Sequence, residues 1–417
     1  MAVARALHLS CSPAPPRRPV TSSRGERRRT VTRPEPHPAD EEAVDLLQEL
    51  VRAPSPNPPG DERAAMTVVR SYLRQIPEIE VEDVGVAPER PMLVATLRGG
   101  AGPGRTIIFG GHIDTVPAGD GWTREPFGGE IADGRLYGRG ASDMKGGIAG
   151  FLVALRQLAA LRDDWKGTVV AHVVPDEEPG GQLGAELLLE SGRIAGDAAI
   201  IAEPSGLTVF RAQKGNVFAT VTFTGRSAHG STPELGDNAV SHAVQFAMDI
   251  EQRLAPQLAR RRHELVGNAS ISIGTIRGGV RTNVVPDQCV LTVDRRVLPS
   301  EDLGQATREL SSFIDGRGTI TFDHIGAAFE TPAEHWLVRA AVDVVDEARG
   351  GAMPVGGLVG SSDARFYAAG AGIPTIIIGP GTMDQAHVPD ESVDVELLSS
   401  SVTVYRELAL RLLDLER

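Results

Sequence analysis

The chain has 417 residues, 41% of them hydrophobic and 23% charged, and a net charge of −13. That composition fits a globular protein of two or three domains and excludes wholesale disorder. The acidic balance opposes general nucleic-acid binding, no apolar run approaches the ~18–20 residues that span a bilayer, and two cysteines, Cys11 and Cys289, build no disulfide framework, so a cytoplasmic protein is expected.

Residues 1–38 are rich in Arg and Pro, lack apolar periodicity and read as a disordered extension, without the apolar stretch of a secretory signal. Folded structure is expected from 39 onward. Ala43, Leu46, Leu47, Leu50 and Val51 recur at helical spacing behind a cap at Asp40, and the prolines at 54–59 end that helix. A second helix is expected over 62–75. Short apolar runs at 92–97, 106–114, 167–176 and 198–204 read as buried strands, with a helix at 146–161 between them. Strands alternating with helices predict an α/β domain with a mainly parallel sheet.

From 213 the pattern changes. An alternating strand (216–224), a helix (238–254), two strands (269–276 and 288–297), a helix near 301–314 and a strand (319–326) follow in the order β-α-β-β-α-β. After 328 the α/β pattern resumes, with a helix at 333–347, a strand at 373–381 and a final helix at 394–415. The expected organisation is a larger α/β domain of 39–212 and 328–417, interrupted by an α+β domain of 213–327.

Open α/β sheets bind ligands beyond the carboxyl ends of their strands. His112 and Asp114 follow the 106–111 strand, Glu177 and Glu178 follow 167–174, Glu203 follows 198–202, and His387 follows 373–379; Asp143 lies in a Gly-rich loop. Imidazole and carboxylate together suit Zn²⁺, and also Mn²⁺ or Co²⁺. Two histidines and at least three acids exceed what one tetrahedral site needs, so a carboxylate-bridged pair of divalent ions is expected. The neighbours Glu177 and Glu178 are able to divide two tasks, one as base and one as ligand.

The segments GGHIDTVPAG (110–119), GRGASDMKGG (138–147), VVPDEEPGG (173–181), EPSG (203–206), GRSAHGSTPELGDNAV (225–240), RTNVVPD (281–287), GSSDARF (360–366) and GPGTMDQAHVPDE (379–391) carry a resemblance. In this order they are similar to the co-catalytic zinc metallopeptidases that include aminoacylase, acetylornithine deacetylase, succinyl-diaminopimelate desuccinylase and glutamate carboxypeptidase. The resemblance implies that His112 and Glu203 bind one metal, Glu178 and His387 the other, and that Asp143 bridges them. Asp114 is implied to fix the His112 tautomer, Glu177 to act as general base on a metal-bridged water, and His229 to stabilise the oxyanion, in dimeric members from the partner subunit. Asn283 and Arg295 are implied to hold polar groups of the substrate, and Gly360 and Ser361 to line its pocket. Arg296 is read as a solvated neighbour on the opposite strand face. Histidines 8, 37, 172, 242, 263, 324 and 335 are read as structural or surface groups.

The implied activity is metal-dependent hydrolysis of the amide bond of a small N-acyl amino acid, of the acetylornithine deacetylase or succinyl-diaminopimelate desuccinylase kind. A carboxypeptidase or dipeptidase of the same chemistry is the alternative, and a non-catalytic binding module on this scaffold is a remote one. The inserted domain is implied to act as a lid and to carry homodimer contacts.

Overall fold

A computed structural model describes residues 38–414. The extension expected over 1–38 lies outside the described residues except for Pro38. The first helix, Pro38–Val51, already contains Asp40, so that residue does not precede the helix as a cap.

The larger sheet has nine strands. Its centre is four parallel strands in the order Thr168–Val174, Thr106–His112, Ala198–Ile201 and Thr375–Ile377. Antiparallel strands flank it: Leu93–Arg98 and Glu80–Asp83 on one side, Phe210–Gln213 and Phe329–Glu330 on the other. Both faces are covered, which is why the central strands are almost continuously apolar. Ile107 and Phe109 enter one core, shared with helices Pro38–Val51, Gly146–Ala160, Trp336–Arg349 and Val395–Asp414. Ile108 points into the opposite core, beside Leu188 of the short helix Ala185–Glu190 and Tyr367.

The second sheet is antiparallel throughout, in the order Ser270–Gly278, Gln288–Val297, Gly215–Thr224, Gly318–Gly326. Helices Ala239–Asp249 and Leu303–Ser312 cover one face, where Val221, Phe223, Leu291 and Val293 are buried with Phe246 and Leu310. Asn238 caps the first of these helices, accepting from Val240 and Ser241 N–H, and Asp302 caps the second, accepting from Gln305 N–H. The chain enters this unit from Phe210–Gln213 and returns through Phe329–Glu330. Those two strands pair with each other, Phe329 opposite Gln213.

Candidate metal centre

The parallel strands stop side by side, so the residues after them converge. His112 is level with Val174, which puts it against the loop that begins at 175. Glu203 follows the neighbouring strand by two residues. Helix Gly146–Ala160 approaches that strand closely: a Cβ on Gly147 would lie 2.2 Å from Ala202 O. Only glycine permits this contact, which sets Asp143, just before the helix, beside Glu203.

Asp143 is the centre of the cluster. Its Oδ1 lies 3.2 Å from His112 Nε2, and its Oδ2 lies 3.3 Å from His387 Nε2. Glu203 Oε1 is 3.8 Å from His112 Nε2, and Glu178 Oε2 is 3.1 Å from His387 Nε2. The donor atoms therefore form two trios that share Asp143: His112, Asp143 and Glu203, and Asp143, Glu178 and His387, each within 4.8 Å.

Backbone bonds aim these groups. His112 Nδ1–H donates to Asp114 O at 3.0 Å, and because a carbonyl only accepts, Nε2 keeps its lone pair for the cluster. The Asp114 carboxylate lies 3.4 Å from Nδ1; it also accepts Glu177 N–H at 3.1 Å and Glu178 N–H at 3.3 Å. Glu178 Oε1 accepts Val116 N–H at 2.9 Å, leaving Oε2 toward His387. The peptide of Asp143 is held by buried Glu391, whose Oε1 accepts Ser142 and Asp143 N–H at 2.9 and 3.0 Å; Arg139 donates to its other oxygen at 2.6 Å.

The electrostatics fit divalent cations. Two imidazoles face the acids Asp143, Glu177, Glu178 and Glu203, with Asp363 behind them. Burial pushes Glu177 and Glu203 well above the ordinary carboxylate range, reinforced by neighbouring acids. Burial lifts Asp363 to about 6, and neither of its oxygens has a hydrogen-bond partner among the described residues. Asp143 and Glu178 raise His387 to about 10. The side chains alone thus concentrate more negative charge than they balance, and the donor set of imidazole and carboxylate is the one that two hard-to-borderline cations neutralise.

A cavity of about 270 Å³ opens against the cluster. Asp143, Glu177, Glu178, Glu203 and His387 line one wall; Asn216, Phe218, Arg296 and His324 of the second sheet line another. Gly360 and Ser361 line it as well, as expected. A larger depression of about 810 Å³, beside Trp165 and the last helix, holds none of the cluster residues.

Four placements differ from the sequence reading, those of Arg295, Arg296, His324 and Asn283. Arg295 is fully buried away from the cavity, with Nη2 on Glu301 at 2.8 Å and Glu309 at 3.3 Å. Arg296 faces the cavity instead, paired with Asp294 and 5.5 Å from the Phe218 ring centre. The reason is strand parity: Arg295 shares a face with Cys289, Leu291 and Val293, which are buried under the helices. His324 is no surface group but a cavity wall, beside Phe218. His229 and Asn283 meet on neighbouring loops, where Gly230 N donates to Asn283 O at 2.8 Å; both are exposed and neither lines the cavity.

Lys145, two residues after Asp143, turns away: its buried ammonium donates to Leu50 O at 2.9 Å and Ala53 O at 3.0 Å, fastening the end of the first helix. Sequence reasoning also missed Asn57, Arg90, Asp176 and Arg365. Arg365 clamps two loops, donating to Ser362 O at 2.8 Å and Gly180 O at 2.6 Å.

The profile of peptidase family M20/M25/M40 matches residues 108–411. The chain belongs to this family. As an M20 metallopeptidase it is a hydrolase of amide C–N bonds that acts on small substrates and binds metal. It is 31% identical over 347 residues to acetylornithine deacetylase of Shigella sonnei (strain Ss046), covering 80% of this chain and 86% of that one. An M20 family metallo-carboxypeptidase from Sulfolobus solfataricus shares the fold with a TM-score of 0.75 at 18% identity, over 89% of this chain and 99% of that one. So does the YXEP protein of Bacillus subtilis, described as a dinuclear metal binding peptidase, with a TM-score of 0.68 at 19% identity over 90% and 99% of the two chains. No helix among the described residues is long and apolar enough to cross a membrane.

Proposed function

We propose that this M20 enzyme deacylates a small N-acyl amino acid, as acetylornithine deacetylases and succinyl-diaminopimelate desuccinylases do. The observation that carries the reading is Asp143, one oxygen toward each histidine, at the wall of a cavity of only about 270 Å³. A free amino acid with a short acyl group suits that volume.

His112 and Glu203 would hold one divalent ion, Glu178 and His387 a second, and Asp143 both; Zn²⁺ fits, and Co²⁺ or Mn²⁺ are compatible. Such ions, when bound, polarise the amide carbonyl and make water a better nucleophile at neutral pH. The protein's own groups do the rest. Glu177 lines the cavity outside both donor trios, held by its N–H on Asp114, and takes the proton of the attacking water and passes it to the leaving amine. Arg296 stands across the cavity and offers its guanidinium to the substrate carboxylate, the task first expected of Arg295. Asn216, Phe218 and His324 shape the same wall. Gly360 and Ser361 border the acyl end.

His229 and Asn283 are assigned to the site of a partner copy in a cytoplasmic homodimer built on the second sheet. Their exposure, and the exposed edge strand Ser270–Gly278 beside them, support that arrangement. The lobes 39–212 with 328–417, and 213–327, are then a catalytic domain and a lid.

The test is amine release by Zn²⁺-loaded protein from N-acetylornithine, N-succinyl-diaminopimelate, other N-acyl amino acids, dipeptides and N-carbamoyl amino acids. Turnover confined to N-acyl amino acids is expected. Preference for dipeptides would replace this reading with a dipeptidase, and an inactive panel with two metals bound would discard the substrate class.

A further inference from the structure

The segment 55–60, Ser-Pro-Asn-Pro-Pro-Gly, looks in the sequence like the mere end of a helix. In the fold it lies behind the cluster, against Asp114 and Asp176. It pairs with the residues leaving strand Thr106–His112: Ser55 Oγ donates to Ile113 O at 2.6 Å, Asn57 N to Thr115 O at 2.8 Å, and Thr115 N to Ser55 O at 3.0 Å. Asn57 is buried, and its Nδ2 donates to two carboxylates, Asp114 Oδ2 at 3.0 Å and Asp176 Oδ1 at 3.2 Å. Its Oδ1 accepts from Arg90 Nη2 at 3.2 Å. Arg90 Nη1 lies 2.8 Å from Glu62 Oε1 and 3.3 Å from Asp176 Oδ1.

Asp114, Asp176 and Glu62 are all buried. Three acids so close are costly to desolvate unless donors and a cation answer them. One amide and one guanidinium give that answer here. The acids in turn hold loop 176–178. Asp114 takes the N–H groups of both Glu177 and Glu178. Asp176 sits at φ 72°, a left-handed conformation that L residues adopt rarely, and both its oxygens are tied, Oδ2 accepting Leu183 N–H at 2.9 Å. Glu177 and Glu178 are thus slung between two anchored carboxylates.

We propose that Asn57 and Arg90 are positioning residues of the metal centre. Asn57 couples Asp114 to Asp176, Arg90 supplies the charge that lets the acids lie together, and the pair fixes where Glu178 and the His112 ring stand. The proposal rests on reading the cluster as a metal site.

Asn57→Asp preserves the shape of the side chain but sets an oxygen against Asp114 and Asp176. Metal-free protein is titrated with Zn²⁺ in competition with a chromogenic chelator. Asn57→Asp and Arg90→Gln should weaken Zn²⁺ binding by roughly 10-fold, the low end of the cost of losing a direct partner of a ligating group, because they act one contact further out, through Asp114 and Asp176. Arg90→Lys should recover most of the loss. The melting temperature of each metal-free chain is measured alongside, with Leu412→Ala as a variant destabilised far from the cluster. Parental affinity in both Asn57→Asp and Arg90→Gln overturns the proposal, as does an equal loss of affinity in Leu412→Ala at matched melting temperature. If Asn57→Asp does not fold, the Arg90 pair decides: equal losses in Arg90→Lys and Arg90→Gln refute the role of charge. A parent chain that takes up no Zn²⁺ refutes the metal-site reading itself.

Discussion

Glu177 and Glu178 are adjacent and chemically identical, and the fold separates them by their partners. Glu178 is pinned at one oxygen by Val116 N–H and turned toward His387 with the other, whereas Glu177 belongs to neither donor trio. Glu177→Gln should therefore lower kcat by about 10²–10⁴ and leave the metal content intact, measured by amine release and elemental analysis of the same preparation. Loss of metal in that variant would make Glu177 a ligand. Arg295 and Arg296 diverge in the same way. Arg296→Ala should cut kcat/KM roughly 10–100-fold with little change in melting temperature, the cost of one charged contact to substrate. Arg295→Ala should instead destabilise the chain by about 1–3 kcal/mol, because Glu301 and Glu309 lose one buried partner and keep only Arg261. The sequence already held this distinction: Arg295 alternates in step with Cys289, Leu291 and Val293, and a strand side chain cannot leave its face. His324 carried no such mark. It alternates on Gly318–Gly326 with exposed residues, and only the cavity across the sheet distinguishes it.

Among the elements, the long periodic ones were readable and the short paired ones were not. Helix Gly146–Ala160 and strand Thr106–His112 lie within a few residues of their predicted spans, because burial on one stripe or on both faces leaves a strong pattern. Phe210–Gln213 and Phe329–Glu330 have too few residues to show alternation and exist through their pairing. The segment 55–60 was equally opaque: its prolines signal a helix end, while its work lies in contacts to residues far along the chain. Gly147 belongs at this scale as well. In an exposed helix Gly→Ala stabilises; here the added Cβ meets Ala202 O, so Gly147→Ala should cost about 1–3 kcal/mol and weaken Zn²⁺ uptake by shifting Glu203. A rise in melting temperature would show that the helix and strand are less tightly apposed than described.

At the scale of the molecule, a buried histidine contributes to the acid limb of stability. His172 is fully buried, with Nδ1 2.9 Å from Tyr367 Oη, and burial pushes its pKa down to about 3. Its folded pKa lies below the unfolded value, so its contribution is whole above about 6.5 and is lost as pH falls toward 3. Glu62 opposes it: burial raises that carboxyl to about 7, so its contribution is present at low pH and is lost as pH rises from about 4.5 through 7. In metal-free protein, His172→Leu should flatten the fall in melting temperature between pH 6.5 and 3; an unchanged acid limb would remove His172 as a contributor to it. The proposed exchange of His229 between subunits also belongs here. Mixing unfolded His229→Ala and Glu177→Gln chains and refolding them together should restore roughly a quarter of parental activity, since half of the dimers are mixed and each has one complete site. No recovery would place His229 outside the partner's site. The order of the motifs made the family and the interrupted sheet legible, but which residues face each other across the cavity was set by packing between the two sheets.

The pairing of Phe210–Gln213 with Phe329–Glu330 brings the two ends of the intervening chain together as a doorway with adjacent posts. The whole of 215–326 is therefore removable in principle by joining the posts with a tight turn, as in a two-stranded hairpin. Such a shortened chain would keep every donor of both trios and lose Asn216, Phe218, Arg296 and His324 together. Zn²⁺ uptake would then rest on a polypeptide from which one whole wall of the cavity has been taken away.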